Sequence, residues 1–141
     1  GKQMRLIIHA DGVSRGNPGL AAIGATIKDE RGKLVAAISQ RIGRTTNNQA
    51  EYRALIAALK KAIALGAAEV GIYLDSELVV KQVTGSYRVK NEALKPLHAE
   101  VRRLLGWFQT FKISHVPRGR NEEADKLAFS FYNVGHAPYM H

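Results

Sequence analysis

Cysteine is missing altogether from the 141 residues. Disulfides, thiolate nucleophiles and cysteine-ligated zinc sites are thereby excluded. No apolar run approaches the roughly 20 residues needed to span a bilayer. Residues 1–5 (GKQMR) lack the charged-then-apolar pattern of a signal peptide. No internal repeat, low-complexity tract or long linker breaks the chain. These absences point to a soluble intracellular protein, expected in the cytoplasm, away from membranes and as a monomer. The length suits one domain, read over 1–141 with its core at about 4–131 and a short tail over 132–141.

Acidic residues are outnumbered, with 12 Asp and Glu against 21 Lys and Arg, for a net charge of +9. A basic surface attracts polyanions, and nucleic acid is the commonest of these in a cell. The hydrophobic content of 45% is that of an ordinary globular protein.

The apolar periodicity predicts an α/β protein. "MRLIIHAD" (4–11) reads as a first strand that stops at Asp11. "GNPG" (16–19) carries turn residues. "AAIGATIKD" (21–29) and "KLVAAISQRI" (33–42) read as strands joined by a tight hairpin. In "TNNQAEYRALIAALKKAIALG" (46–66), Tyr52, Leu55, Ile56, Leu59 and Ile63 share one helical face. "EVGIYLD" (69–75) predicts a fourth strand. "SELVVKQVT" (76–84) follows as a short helix that Ser76 can cap. "NEALKPLHAEVRRLLGWF" (91–108) is a long helix whose regular part begins near Pro96. "FKISHV" (111–116) is a fifth strand. "NEEADKLAFSF" (121–131) is a last helix, with Ala124, Leu127, Ala128 and Phe131 facing inward. The order β-β-β-α-β-α-α-β-α predicts a mixed five-stranded sheet flanked by helices. Strands 1–3 form an antiparallel meander and the later strands pair in parallel.

Four acids stand at the ends of these elements. Asp11 and Asp75 close strands 1 and 4, which are natural neighbours in the middle of such a sheet. Glu51 lies in the first turns of the first long helix, at the edge of its apolar stripe, and Asp125 lies in the first turn of the last. Taken singly, each has a plain structural role as turn residue, cap or helix-dipole partner. Taken together, carboxylates at one strand edge repel one another and call for a hard divalent cation with oxygen ligands, Mg²⁺ or Mn²⁺. Acids of this kind in a basic protein suggest metal-dependent chemistry on phosphates. In such chemistry two ions roughly 3.5–4 Å apart can clamp the attacking and leaving oxygens.

Four patterns in order, "DGVSRGNPG" (11–19), "TNNQAE" (46–51), "DSELVVKQV" (75–83) and "NEEADKLA" (121–128), resemble those of the type 1 ribonuclease H family. The resemblance covers about 4–131 and implies the ribonuclease H-like fold. It implies endonucleolytic hydrolysis of the RNA strand of an RNA–DNA hybrid, giving 5′-phosphate and 3′-hydroxyl ends. It carries Asp11, Glu51, Asp75 and Asp125 over as catalytic metal ligands for two Mg²⁺ ions, with Mn²⁺ as a substitute. One ion would activate water and the other would stabilise the leaving 3′-oxygen. Substrate contacts implied for the RNA 2′-hydroxyls are the backbone from Gly12 to Gly16 and the amides of Asn17, Asn47 and Asn48. Arg44, Thr46 and Asn91 match a pocket for a phosphate of the DNA strand. The family also permits cleavage of double-stranded RNA.

Three departures stand out. Glu77 replaces a Gln or Asn that contacts the hybrid in many members. Only "GSYRVKN" (85–91) stands where some members carry a long basic insertion, so hybrid binding would rest on Arg88, Lys90, Arg118 and Arg120, with Trp107 or Tyr87 nearby. In the loop before the last helix, "PRGR" (117–120) lacks the usual histidine; His115 belongs to the preceding strand pattern. Arg118 is the loop residue expected to approach the leaving phosphate, where it would stay charged at neutral pH. His9, His98, His136 and His141 show no metal-ligand spacing. Rival readings are a hybrid-binding module that does not cut and another nuclease of the same superfamily. Val13 argues against a proofreading-type exonuclease, which carries a second acid at that place. A ribonuclease H domain released from a reverse transcriptase is a further reading, and the compact ends favour a free enzyme over it.

Overall fold

A computed structural model describes residues 4–129. It begins with β1 (Arg5–Gly16), β2 (Gly19–Lys28) and β3 (Leu34–Thr45). There follow α1 (Asn47–Ala64), β4 (Glu69–Leu74), α2 (Glu77–Thr84), α3 (Lys95–Leu105) and β5 (Thr110–His115). A 3-10 turn at Arg118–Arg120 leads into a helix over 122–129, here α4. The sheet order is β3-β2-β1-β4-β5. β1–β2 and β2–β3 pair antiparallel, while β1–β4 and β4–β5 pair parallel. This is the mixed sheet that the apolar periodicity predicts. No described helix is long and apolar enough to cross a membrane.

Strands 1 and 3 run further than the sequence suggests. β1 does not stop at Asp11 but continues to Gly16, because β2 pairs with it up to Gly16↔Gly19 across the turn at Asn17-Pro18. β3 likewise continues to Thr45. Backbone pairing sustains both extensions, and a search for alternating apolar residues does not register it. α3 starts at Lys95 rather than at 91. The Asn91 carboxamide accepts hydrogen bonds from the Ala93 and Leu94 N–H groups, which holds 91–94 as a turn. Pro96 then falls in the first turn of α3, where its missing N–H costs nothing. The Phe131 position and the 132–141 tail lie outside the described residues.

α1 packs across the sheet, and its buried face differs from the expected stripe. Tyr52, Leu55 and Leu59 are buried as the periodicity requires, but so are Ala50, Ala54, Ala58 and Ala62. Ile56 and Ile63 are only partly buried. The small alanines let the helix approach the strands closely, so the contact face turns toward them. Glu51 therefore lies inside the buried face and not at its edge. Thr46 caps the helix in a reciprocal capping box with Gln49. Leu6, Ile8 and Ala10 of β1 join Tyr52, Leu55 and Leu59 in one core cluster.

α1 approaches β1 closely at Gly12. A Cβ there would lie 2.1 Å from the Ala50 carbonyl carbon and 2.5 Å from the Glu51 nitrogen. Both neighbours are backbone and cannot move aside singly. Gly12→Ala should therefore push β1 and α1 apart and destabilise the fold by about 1–3 kcal/mol or more. Denaturant unfolding reads this directly, and an unchanged midpoint would contradict the packing.

Candidate active site

The parallel ladder between β1 and β4 runs from Arg5↔Glu69 to Ala10↔Leu74. Asp11 and Asp75 are the next residues on the two strands, so they leave the ladder side by side at its carboxyl end. Asp11 is 1% exposed, and the Asp75 side chain is 4% exposed. Glu51 comes to them from the second turn of α1 and is 5% exposed. One carboxylate oxygen from each of Asp11, Glu51 and Asp75 lies within 4.8 Å of the others. Asp125, from the first turn of α4, neighbours Asp11 but stands outside that close group of three.

These carboxylates are poorly satisfied. Both oxygens of Asp11, Oδ2 of Asp75 and Oδ1 of Asp125 are buried without a hydrogen-bond partner. Burial raises the Asp11 carboxyl to about 11, helped by the adjacent carboxyls of Asp125 and Glu51 and then by the charge of Asp75. Burial also raises Glu51, to about 7, although the neighbouring Asp11 carboxyl and the Gly12 N–H oppose the rise. Asp75 is raised by burial and pulled back by the Arg118 guanidinium. Buried like charges without partners are costly. A divalent cation with oxygen ligands removes that cost, and a set of buried acidic oxygens lacking donors is the donor set such an ion takes. The cluster thus fits a metal ion, which Asp11, Glu51 and Asp75 could hold.

Arg118 faces this cluster. Its Nε lies 3.7 Å from Asp75 Oδ2, while its side chain is 74% exposed. Asn121 is a residue the sequence reading passed over. It is 1% exposed, and its Nδ2 donates to the Ala10 carbonyl at 2.8 Å. Its own carbonyl accepts from the Asp125 N–H, and its N–H donates to Arg118 O. Asn121 therefore ties β1 at Asp11 to the turn of Arg118 and to the helix of Asp125. The available signal was an Asn four residues ahead of an acid at a helix start, a plain capping pattern.

The residues matched to substrate contacts take several positions. The Asn17 carboxamide accepts from the Asn47 N–H at 3.0 Å, joining the β1–β2 turn to the start of α1. Asn48 and Arg44 are exposed around the same junction, and Thr46 caps the helix. Gly16 is exposed with φ 102°. Gly12 is buried, and its N–H helps to hold the Glu51 carboxyl down. Asn91 lies apart, before α3, and its side-chain oxygen is engaged in its own turn. Arg88, Lys90 and Arg120 are exposed. Tyr87 lies under the Lys81 ammonium at 5.5 Å. His9 stacks on Tyr73, His98 Nε2 contacts the Gln82 carbonyl, and His115 ends β5 in solvent. His136 and His141 lie outside the described residues.

The family model described as reverse transcriptase-like matches residues 9–130. Ribonuclease HI of Halobacterium salinarum is 47% identical over 123 residues, 86% of this chain and 62% of that protein. The crystal structure of RNase H1 from that archaeon has a TM-score of 0.90 at 44% identity, covering 92% of this chain and 98% of that one. The chain belongs to the type 1 ribonuclease H family. Two further ribonuclease H relatives agree. Bifunctional protein Rv2228c of Mycobacterium tuberculosis is 45% identical over 126 residues, 89% of this chain and 35% of that protein. LC11-RNase H1, solved in complex with RNA/DNA hybrid, has a TM-score of 0.84 at 41% identity, covering 89% of this chain and 94% of that one. The chain thus spans 35% to 62% of the length of the two curated ribonuclease H relatives.

Two measurements follow from this acidic cluster. Carboxyls raised in the folded state bind more protons there than in the unfolded chain. Their contribution to stability is complete below their ordinary values and is lost as pH rises. For Glu51 that window runs from its ordinary 4.5 to about 7. In EDTA the melting temperature should fall across this window, and Mg²⁺ or Mn²⁺ should reverse the fall; a flat profile in EDTA would contradict the buried cluster. Asn121→Ala leaves the Ala10 carbonyl without its donor and should cost roughly 1–3 kcal/mol in denaturant unfolding.

Proposed function

We propose that this chain is a single catalytic domain that hydrolyses the RNA strand of RNA–DNA hybrids internally, leaving 5′-phosphate and 3′-hydroxyl ends. The observation that carries the reading is the convergence of Asp11, Glu51 and Asp75, buried, with three of their oxygens lacking hydrogen-bond partners, where the parallel pairing of β1 with β4 ends. Membership of the ribonuclease H family and the likeness to LC11-RNase H1, itself solved with an RNA/DNA hybrid, support the substrate.

Asp11, Glu51, Asp75 and Asp125 are the ligands in this reading, and Mg²⁺ is the resident ion, with Mn²⁺ as a substitute. Held by these residues, two such ions would supply positive charge at an attacking water and a departing 3′-oxygen. The protein's own groups do the rest. Asp11, Glu51 and Asp75 hold the site on the rigid β1–β4 pair and a buried helix face, so little reorganisation accompanies the reaction. The amides of Asn17, Asn47 and Asn48 suit the minor groove, where a group that both donates and accepts can read a 2′-hydroxyl. Arg44 offers a cation to the DNA strand beside the Thr46 cap, and Asn91 offers a polar group from its own loop. Arg118 stands where a guanidinium can meet the newly formed phosphate. The net charge of +9 favours a polyanionic duplex and makes its binding weaken with salt.

One end-labelled sequence, presented as RNA–DNA hybrid, RNA duplex, DNA duplex and single-stranded RNA, with Mg²⁺ and with EDTA, tests the reading. Metal-dependent internal cuts in the RNA of the hybrid are expected. Additional cuts in the RNA duplex would widen the substrate class within the same chemistry. Tight hybrid binding without cleavage under any divalent metal would overturn it. Asp75→Asn should abolish cleavage while hybrid binding persists, since the change removes negative charge from the binding face; normal turnover by that variant would remove Asp75 from the site.

A further inference from the structure

Arg118 combines two properties that a purely structural ion pair does not need. Its guanidinium is mostly in water, yet it is aimed at a carboxylate that is almost wholly buried. The Asp75 oxygen it faces, Oδ2, has no hydrogen-bond partner, and the contact of 3.7 Å is an ion pair without a hydrogen bond. The backbone beneath it is fixed. Val116 N–H donates to Leu74 O, immediately before Asp75. Asn121 N–H donates to Arg118 O, and Asn121 Nδ2 donates to Ala10 O, immediately before Asp11. The root of Arg118 is thus tethered to the residues just before both Asp11 and Asp75, while its head is free to leave. An arginine keeps its charge at any pH at which the protein is folded.

We propose that Arg118 is an internal counter-ion of the acidic cluster: its guanidinium guards the Asp75 carboxylate until a divalent cation displaces it, and so sets the free-metal concentration at which the site fills. This rests on reading Asp11, Glu51 and Asp75 as metal ligands. It assigns to Arg118 an action on the resting protein that precedes any contact with substrate. Once displaced from Asp75, the same head group is released toward the phosphate. The loop therefore exchanges one anion for another as the site fills.

The test is calorimetric titration of Mn²⁺ into the full chain without nucleic acid, at fixed pH and salt, for the native protein and for Arg118→Ala, Arg118→Gln and Arg118→Lys. Removing a screened positive charge beside the site should tighten the first Mn²⁺ by roughly three- to tenfold in the Ala and Gln variants. The Lys variant should stay near the native value. In EDTA the Ala and Gln variants should also melt at a lower temperature than the native protein, because Asp75 has lost its counter-ion. Unchanged or weaker Mn²⁺ binding in both neutral variants would overturn the proposal. Asp75→Asn distinguishes this from failure of the underlying reading: if it binds Mn²⁺ as the native protein does, the cluster is not the metal site.

Discussion

Like charges cannot be gathered in a dry pocket unless something opposes them, and much of the geometry around this site answers to that constraint. Three carboxylates converge where the parallel pairing of β1 and β4 ends. Their approach is enforced by elements that have independent reasons to be where they are. β1 and β4 are held by the ladder, and α1 by the burial of Tyr52, Leu55 and Leu59 against β1. The stabilisation of that core is what offsets the repulsion of the acids it brings together. A site assembled in this way is rigid and electrostatically unsatisfied, and both properties favour the capture of a cation.

The alanines of α1 and the glycine of β1 make the approach possible. Gly12 leaves no room for a side chain between the strand and the Ala50–Glu51 backbone. The same contact lets the Gly12 N–H reach the Glu51 carboxylate. One close packing contact therefore brings an acid into the site and eases its ionisation. On the opposite side, Asn121 does comparable work with its amide, linking the Ala10 carbonyl to the start of α4.

The substrate-facing side is built differently. Asn17 and Asn47 are joined across the β1–β2 turn and the α1 start, next to the exposed Asn48. Short amides at turns and caps serve the backbone first, and their outward faces remain for a ligand. The loop of Arg118 replaces a titrating group with a permanent cation. Its charge acts on Asp75 and Glu51 alike, holding both below the values that burial alone would impose.

Local pattern determined much of this protein. Alternation in "LIIHA" and "VGIYL", the 3.6-residue rhythm of Tyr52, Leu55 and Leu59, and the cap at Ser76 are all readable from the chain, because each depends on neighbours within a few residues. The four acids were readable too, since Asp11 and Asp75 close apolar runs and Glu51 and Asp125 lie in the first turns of helices. Tertiary structure alone decided which acids meet. It grouped Asp11, Glu51 and Asp75 and set Asp125 beside them. It turned Glu51 into the buried face, and it carried β1 beyond Asp11 by pairing with β2. It also recruited Asn121, whose partner Ala10 lies 111 positions away. Those outcomes depend on how closely backbones approach and on which distant group lies opposite, and neither quantity is encoded in the spacing of residues along the chain.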